Sequence, residues 1–293
     1  MKVNVAATQM SCTWDKENNI HKAINLIHTA ADSGGQIILL QELFETPYFC
    51  INTKTEHFDL ATNLNDQPTI KKMQVIAKER GVVLPISFFE KSGLAFFNSV
   101  AVIDADGSLL GHYRKSHIPD FPLYEEKFYF SPGDTGFRVF DTRFGRIGIG
   151  ICWDQWFPET ARVMALMGAE ILLYPTAIGS ELDRPDLDSK NHWQMTMRGH
   201  AAANIVPVIA SNRIGSESSE NLSMDFYGSS FISNHLGELM CEAGRDSEEI
   251  IYHEFDLSDI SLYRRDWGVF RDRRPDLYGN ILSLDGNKRG RVE

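Results

Sequence analysis

Four cysteines in 293 residues, at positions 12, 50, 152 and 241, leave no C-x-x-C spacing and no close pair. That excludes the common zinc modules and offers no disulfide framework, so reduced thiols in a cytoplasmic setting are expected. No apolar run approaches the roughly 18 residues of a membrane span, and "MKVNVAATQM" reads as a strand rather than the apolar core of an export signal. A membrane partner is therefore not expected. Positive charge is short as well: 29 Lys and Arg against 40 Asp and Glu leave a net charge of −11. Nucleic acid and anionic membrane both reward a basic face, so neither is expected as a partner, and a small cationic or neutral molecule suits the balance better. Phosphate-cradling glycine loops are missing too, since "GRIGIG" at 145–150 has the alternation of a strand. No His/Cys/Asp cluster has metal-ligand spacing, and neither a metal nor a cofactor is expected.

What is present is a globular composition, 43% hydrophobic and 24% charged, enough to bury a sizeable core. "VNVAATQM" reads as a strand, and Asp15 to Ala31 carries Ile20, Ala23, Ile24, Ile27 and Ala31 at helical spacing. "QIILLQELF" reads as a buried strand ending at Glu42, and "PTIKKMQVIAKERG" as a helix closed by glycine. Strands follow at "VVLPISFFEK" and "FFNSVAVIDADGSLLGHYRKSHI", the latter turning at Asp106-Gly107. Beyond residue 150 come "EILLYPTAI", a helix from about Asp188 to Ala203, "VPVIASNRI", and a hairpin turned at His235-Leu236-Gly237. Only "GSESSENLS", Gly215 to Ser223, reads as a solvated loop. Strand and helix alternate without a linker, which points to one layered α/β domain over 1–293. The basic, aromatic tail, about 262–293, has no core period and is expected to pack over the body or against a neighbouring subunit.

The chemistry gathers at a few element boundaries. In "GRIGIGICWDQWFPETAR" Ile147, Ile149 and Ile151 alternate with glycine, and Cys152 follows where the strand should end. Pro158 and Glu159 then open a helix, so the thiol is placed at a strand-to-helix turn, beside backbone N–H groups. A thiol nucleophile needs a proton acceptor and a stabiliser for the oxyanion. Glu42, at the end of an apolar segment where an unpaired carboxylate is expensive, suits a general base. Lys115 in "GHYRKSHIPD" and Glu126 in "LYEEKFYFSPGD" stand at similar boundaries, although each alone reads equally as surface charge. A Cys–His pair using His112 or His117 is conceivable, but it leaves the carboxylates and the lysine without a task.

Taken in order, "LLQELFETPYF", "GHYRKSHIPD", "EKFYFSPGDTGF" and "GRIGIGICWDQWFPE" resemble the nitrilase or carbon–nitrogen hydrolase superfamily, and the resemblance spans nearly the whole chain. It implies a four-layer αββα sandwich, a homo-oligomer built from dimers, and a cysteine-dependent amidase. By the same resemblance Cys152 is the nucleophile, Glu42 the general base, Lys115 the cation facing the tetrahedral intermediate, and Glu126 the residue holding Lys115 in register, with Glu125 adjacent. Trp153 supplies a backbone N–H to the oxyanion. The residues after the cysteine, "CWDQWFPETARVMALMGAEILLYPTAIGSE" and "LDSKNHWQMTMRGHAAANIVPVIASNRIG", are most similar to members acting on a cationic N-carbamoyl amine. Such a substrate needs a carboxylate at the far end of an apolar pocket. Glu181 is the first choice for it, with Asp183, Asp188 and Asp225 as alternatives and Asp188 equally a helix cap. Tyr129, Trp153, Trp156 and Trp193 are expected to wall the pocket or to fill core. An N-carbamoyl amino acid, or another amide bearing a carboxylate, is the alternative substrate class. A binding protein that keeps the scaffold without catalysis is the remaining one.

Overall fold

The computed structural model describes residues 1–181, 184 and 186–287. The first half of the chain builds one sheet with its helices. Strand β1 (Lys2–Gln9) pairs in parallel with β2 (Ile37–Leu39) after helix α1 (Lys16–Asp32). Asp15 caps α1 by accepting the Asn18 N–H, and Ile20, Ala23, Ile27 and Ala30 form its buried stripe. Helix α2 (Pro68–Arg80) starts on proline and stops at Gly81, whose φ of 65° suits a residue without Cβ. Strands β3 (Leu84–Ser92), β4 (Ala95–Ile103) and β5 (Leu109–Arg114) then run antiparallel, and a parallel bridge between Ile37 and Val83 joins them to β2. The short helix α3 (Glu126–Tyr129) follows.

The second half makes a six-stranded sheet. Strands β6 (Val139–Thr142), β7 (Gly145–Ile149), β8 (Ile171–Pro175) and β9 (Val208–Ser211) lie side by side, with α4 (Pro158–Leu166) and α5 (Lys190–Asn204) as crossovers. Strands β10 (Ile214–Ser219) and β11 (Leu222–Tyr227) form a separate hairpin, and β12 (Phe231–Ser233) and β13 (Leu239–Glu242) complete the sheet. Strand β14 (Glu249–Asp256) returns to pair with β1, and α6 (Leu257–Trp267) ends the regular structure. Among the described residues no helix is long and apolar enough to cross a membrane.

Alternation along the strands sorts the side chains into layers. Val3, Val5, Ala7, Val100 and Val102 from the first sheet meet Ile147, Ile149, Leu173 and Ile209 from the second in one core. The opposite faces carry Ala6, Ile38 and Ile86 under α1 and α2, and Leu172, Val208 and Ala210 under α4 and α5. The order is helix, sheet, sheet, helix, the αββα sandwich expected. Close approach explains the glycines in and just beyond β7: a Cβ on Gly148 would lie 2.9 Å from Leu172 Cδ2, and one on Gly150 would lie 2.8 Å from Tyr174 Cε1.

Two expectations need correction. Strand β2 stops at Leu39, so Glu42 lies in the turn beyond it rather than at the strand end. The polar stretch at 215–223 is the β10–β11 hairpin, not a solvated loop. Its Ser/Glu composition hides a buried face made by Glu217, Met224 and Phe226, and a buried glutamate is legible only once its partner is known. In the tail, Val269, Arg273, Tyr278 and Ile281 border a groove of about 460 Å³ with α4 and α5.

Candidate active site

Glu42, Lys115, Glu126 and Cys152 come from four separate elements and are all buried, Lys115 with no exposed surface at all. Glu42 stands in the turn after β2, where Leu43 adopts a φ of 48°. Lys115 directly follows β5, and its backbone N–H bonds to the Asn98 carbonyl at 2.8 Å, so the β4–β5 register sets its position. Glu126 begins α3. Cys152 opens a 3-10 turn (Cys152–Trp156) beyond β7 with a φ of 42°, a conformation that L residues adopt at a cost. The turn leaves its first N–H groups, Trp153's among them, without partners inside the turn.

The polar contacts form one network. Lys115 Nζ donates to Glu42 Oε1 at 2.9 Å and to Glu126 Oε2 and Oε1 at 2.7 and 2.8 Å. Asn98 Nδ2 also donates to Glu42 Oε1, at 2.7 Å, and Tyr48 donates its hydroxyl to Glu126 Oε1 at 2.5 Å. Glu42 Oε2 is buried without a hydrogen-bond partner. Two carboxylates thus share one ammonium, which leaves an unbalanced negative charge in a dry pocket unless a proton is taken up. Burial pushes Glu126 up to about 7, against the pull of Lys115. For Lys115 burial alone would work downward, but the carboxylates of Glu126 and Glu42 outweigh it and hold the ammonium well above its ordinary value. Burial, with Glu42 next, drives the Cys152 thiol well above the usual thiol range, and Lys115 only partly opposes this. The resting group is therefore a neutral thiol, whose Sγ reaches the Ala177 carbonyl at 3.5 Å, beside a carboxylate with one oxygen to spare.

A third buried carboxylate ties the nucleophile turn to the lysine segment. Asp154 Oδ2 accepts from the Ile151 N–H at 2.9 Å and the Tyr113 hydroxyl at 2.8 Å, and Oδ1 accepts from the His117 N–H at 2.9 Å. The His117 ring, Nδ1 2.7 Å from the same Oδ1, stacks flat on Phe157 with centroids 3.7 Å apart. His117 is thus occupied by Asp154, as a Cys–His pair would not require.

The residues expected to meet substrate are placed unevenly. Glu181 is half-buried beyond β8, and burial raises its carboxyl. Burial raises the hydroxyls of Tyr124 and Tyr227, and the charges of both Glu181 and Cys152 add to it, so the two tyrosines lie near both groups. Trp153 is half-buried, its ring 5.3 Å from Phe121 and 6.2 Å from Trp156. Asp188 is exposed at the start of α5, with Oδ1 capping the Lys190 N–H at 3.1 Å and Oδ2 paired to Arg245 at 2.5 Å. Asp225 is exposed on β11, and Asp183 lies outside the described residues. Tyr129 requires a correction: its hydroxyl donates to Asn52 O at 2.7 Å and receives the Lys54 N–H at 2.8 Å, inside a cluster with Phe49, Phe58 and Phe89. It walls an aromatic core. Trp193 is wholly buried against Phe231 and Tyr227 and fills core as well. Tyr48, Asn98, Tyr124, Asp154 and Tyr227 escape sequence reasoning. A lone Asn in the apolar run "FFNSV" is the one available hint.

A strained cysteine, an unpartnered carboxylate oxygen and a buried lysine define a cysteine hydrolase able to act on an amide-type carbonyl. The chain belongs to the carbon–nitrogen hydrolase family, whose profile it matches over residues 4–265. It is 56% identical over 289 residues to the N-carbamoylputrescine amidase of Solanum tuberosum, covering 97% of this chain and 96% of that one. It is 51% identical over 280 residues to the citrullinase of Francisella tularensis subsp. tularensis, covering 96% and 98%. The crystal structure of a carbon-nitrogen hydrolase from Helicobacter pylori G27 superposes with a TM-score of 0.90 at 39% identity, over 97% of this chain and 99% of that one.

Proposed function

We propose that the protein hydrolyses N-carbamoylputrescine to putrescine, carbon dioxide and ammonia, with Cys152 as nucleophile. The observation that carries the reading is the free Oε2 of Glu42 in a wholly buried group whose other polar atoms are engaged by Lys115, Asn98 and Tyr48. Glu42 takes the thiol proton as sulfur attacks the carbamoyl carbon. Lys115 and the Trp153 N–H hold the oxyanion, and Glu42 returns the proton to the departing nitrogen as the carbon–nitrogen bond breaks. The S-carbamoyl thioester left on Cys152 is then hydrolysed by water that Glu42 deprotonates, Glu42 hands that proton to the departing thiolate, and the carbamic acid released breaks down to carbon dioxide and the remaining amine. Glu126 keeps Lys115 in register throughout.

The substrate end rests on Glu181. Its half-buried carboxylate, near the tyrosine pair that also lies near the thiol, suits the distal ammonium of a carbamoylated diamine, the substrate class for which a relative is named. A cytoplasmic setting suits four thiols that are all free. A homo-oligomer is part of the same reading: Val163 and Leu166 of α4 and Leu277, Ile281 and Leu282 of the tail expose apolar side chains that a second copy would cover.

Ammonia release from N-carbamoylputrescine, citrulline, N-carbamoyl-β-alanine, glutamine and a simple nitrile, with Cys152→Ala as control, tests the reading. Preference for N-carbamoylputrescine, abolished in the variant, is the expected result. Preference for citrulline or N-carbamoyl-β-alanine would overturn the role of Glu181, and full turnover by Cys152→Ala would overturn the mechanism.

A further inference from the structure

Arg213 is a charged side chain with no exposed surface, and neither the sequence motifs nor the proposed chemistry gives it a task. It stands just before β10 and reaches back across the molecule to the turn that bears Glu42. Its Nη2 donates to the Glu42 carbonyl at 2.8 Å and the Leu43 carbonyl at 3.1 Å. Its Nη1 donates to Glu217 Oε1 at 2.7 Å and to the Thr46 carbonyl at 3.4 Å. Glu217, almost as deeply buried, uses its other oxygen to accept the Tyr48 backbone N–H at 2.5 Å. The Tyr48 hydroxyl, in turn, is the group that donates to Glu126 Oε1.

One ion pair therefore grips both ends of the 42–48 turn. At one end it holds the backbone of Glu42, next to the left-handed Leu43; at the other it holds the residue that orients Glu126. Burying two charges costs several kcal/mol even when they are paired, and apolar packing can stabilise a hairpin at less cost. A planar fork that satisfies three carbonyls and a carboxylate fixes geometry in a way that such packing cannot.

We propose that Arg213 and Glu217 are positioning residues that set the two carboxylates, Glu42 and Glu126, at their working separation around Lys115. The proposal rests on the assignment of Glu42 and Glu126 made above. It accounts for the polar hairpin: β10 pairs with β11 alone, and its inward-facing Glu217 completes the clamp.

The test compares Arg213→Lys, Glu217→Gln, Tyr48→Phe and the double variant Glu217→Gln/Tyr48→Phe in the full chain, using N-carbamoylputrescine. Leu222→Ala, which loosens the same hairpin opposite Ser219 and away from the clamp, and Glu42→Gln serve as references. For Arg213→Lys and Glu217→Gln, kcat should fall by about tenfold or more while KM stays within about threefold, the pattern of a contact that matters in the transition state. Leu222→Ala should lower Tm with kcat nearly unchanged. Tyr48→Phe should cost much less in the Glu217→Gln background than in the wild type, because the two act through one path. Should Arg213→Lys fail to fold, the Glu217/Tyr48 cycle decides. Unchanged kcat in the clamp variants beside an inactive Glu42→Gln, or fully multiplicative losses in the double variant, would overturn the clamp. A fully active Glu42→Gln would overturn the underlying assignment instead.

Discussion

Asn98 and Lys115 converge on a single oxygen of Glu42, at 2.7 and 2.9 Å, and leave its other oxygen without a partner. A carboxylate held so firmly on one side presents a fixed lone pair on the other. Removing the charge and keeping the shape tests that arrangement. Glu42→Gln should lower kcat by about 10²–10⁴-fold, the range of a lost general base, with little change in KM. Circular dichroism and Tm check that the fold survives, and an unchanged kcat would mean that the thiol loses its proton by another route.

Asp154 holds the Lys115 segment and the Cys152 turn through opposite oxygens, so its effect should appear in both stability and rate. Asp154→Asn keeps the volume but replaces one acceptor oxygen with an NH₂ that faces donors, either Ile151 N–H and Tyr113 or His117. Hydrogen bonds to a buried charged group are worth about 1.5–3 kcal/mol each, so a stability loss of about 3 kcal/mol is expected from urea unfolding. Turnover should fall with it even well below the unfolding midpoint. A destabilised variant with wild-type kcat would show that the tie matters only for folding.

The difference between what was readable and what was not has a physical basis. Strand alternation, the α1 stripe and the four motif segments around Glu42, Lys115, Glu126 and Cys152 are local patterns, and local patterns are written in sequence. The partners of those four residues are not. Tyr48 lies 78 residues from Glu126, and Arg213 lies 171 from Glu42, so their pairing follows from how the two halves of the sandwich meet. Tyr129 misled because an aromatic residue near a catalytic glutamate looks like a pocket wall, whereas its hydroxyl is taken up by the backbone of Asn52 and Lys54 and its ring by Phe49, Phe58 and Phe89. The β10–β11 hairpin misled for the opposite reason: its inward face is a glutamate, which reads as solvated until Arg213 is brought beneath it.

Glu126 makes the stability of the fold depend on pH in a definite direction. Burial raises its carboxyl to about 7 from an unfolded value of 4.5, so the folded state holds a proton that the unfolded chain has already released between those values. Stability from this group is fully present below the unfolded value and is lost as pH rises through about 7. Glu126→Gln, which cannot release a proton, should flatten that part of the profile. Denaturant midpoints for both proteins at intervals from about pH 5 to about pH 8 would show it. Parallel profiles would mean that the proton resides elsewhere in the Glu42, Lys115 and Glu126 group.

In the proposed function Glu181 separates the carbonyl chemistry from recognition of the amine. It is half-buried, near Tyr124 and Tyr227, and no hydrogen bond or ion pair among the described residues joins it to Glu42, Lys115 or Glu126. Glu181→Gln should therefore leave thiol reactivity and thioester formation intact while weakening selection for the ammonium. A partly exposed charge pair with one strong hydrogen bond is worth about 1–2 kcal/mol, so kcat/KM for N-carbamoylputrescine should fall by about tenfold. A neutral analogue of the same length, N-pentylurea, in which a methyl group replaces the ammonium, should lose far less. The ratio of the two kcat/KM values is the quantity to measure, because a general disturbance of the pocket would lower both together. A ratio unchanged from wild type would remove Glu181 from the amine site and point to another acid at its rim, with Asp188, already paired to Arg245, the next to examine.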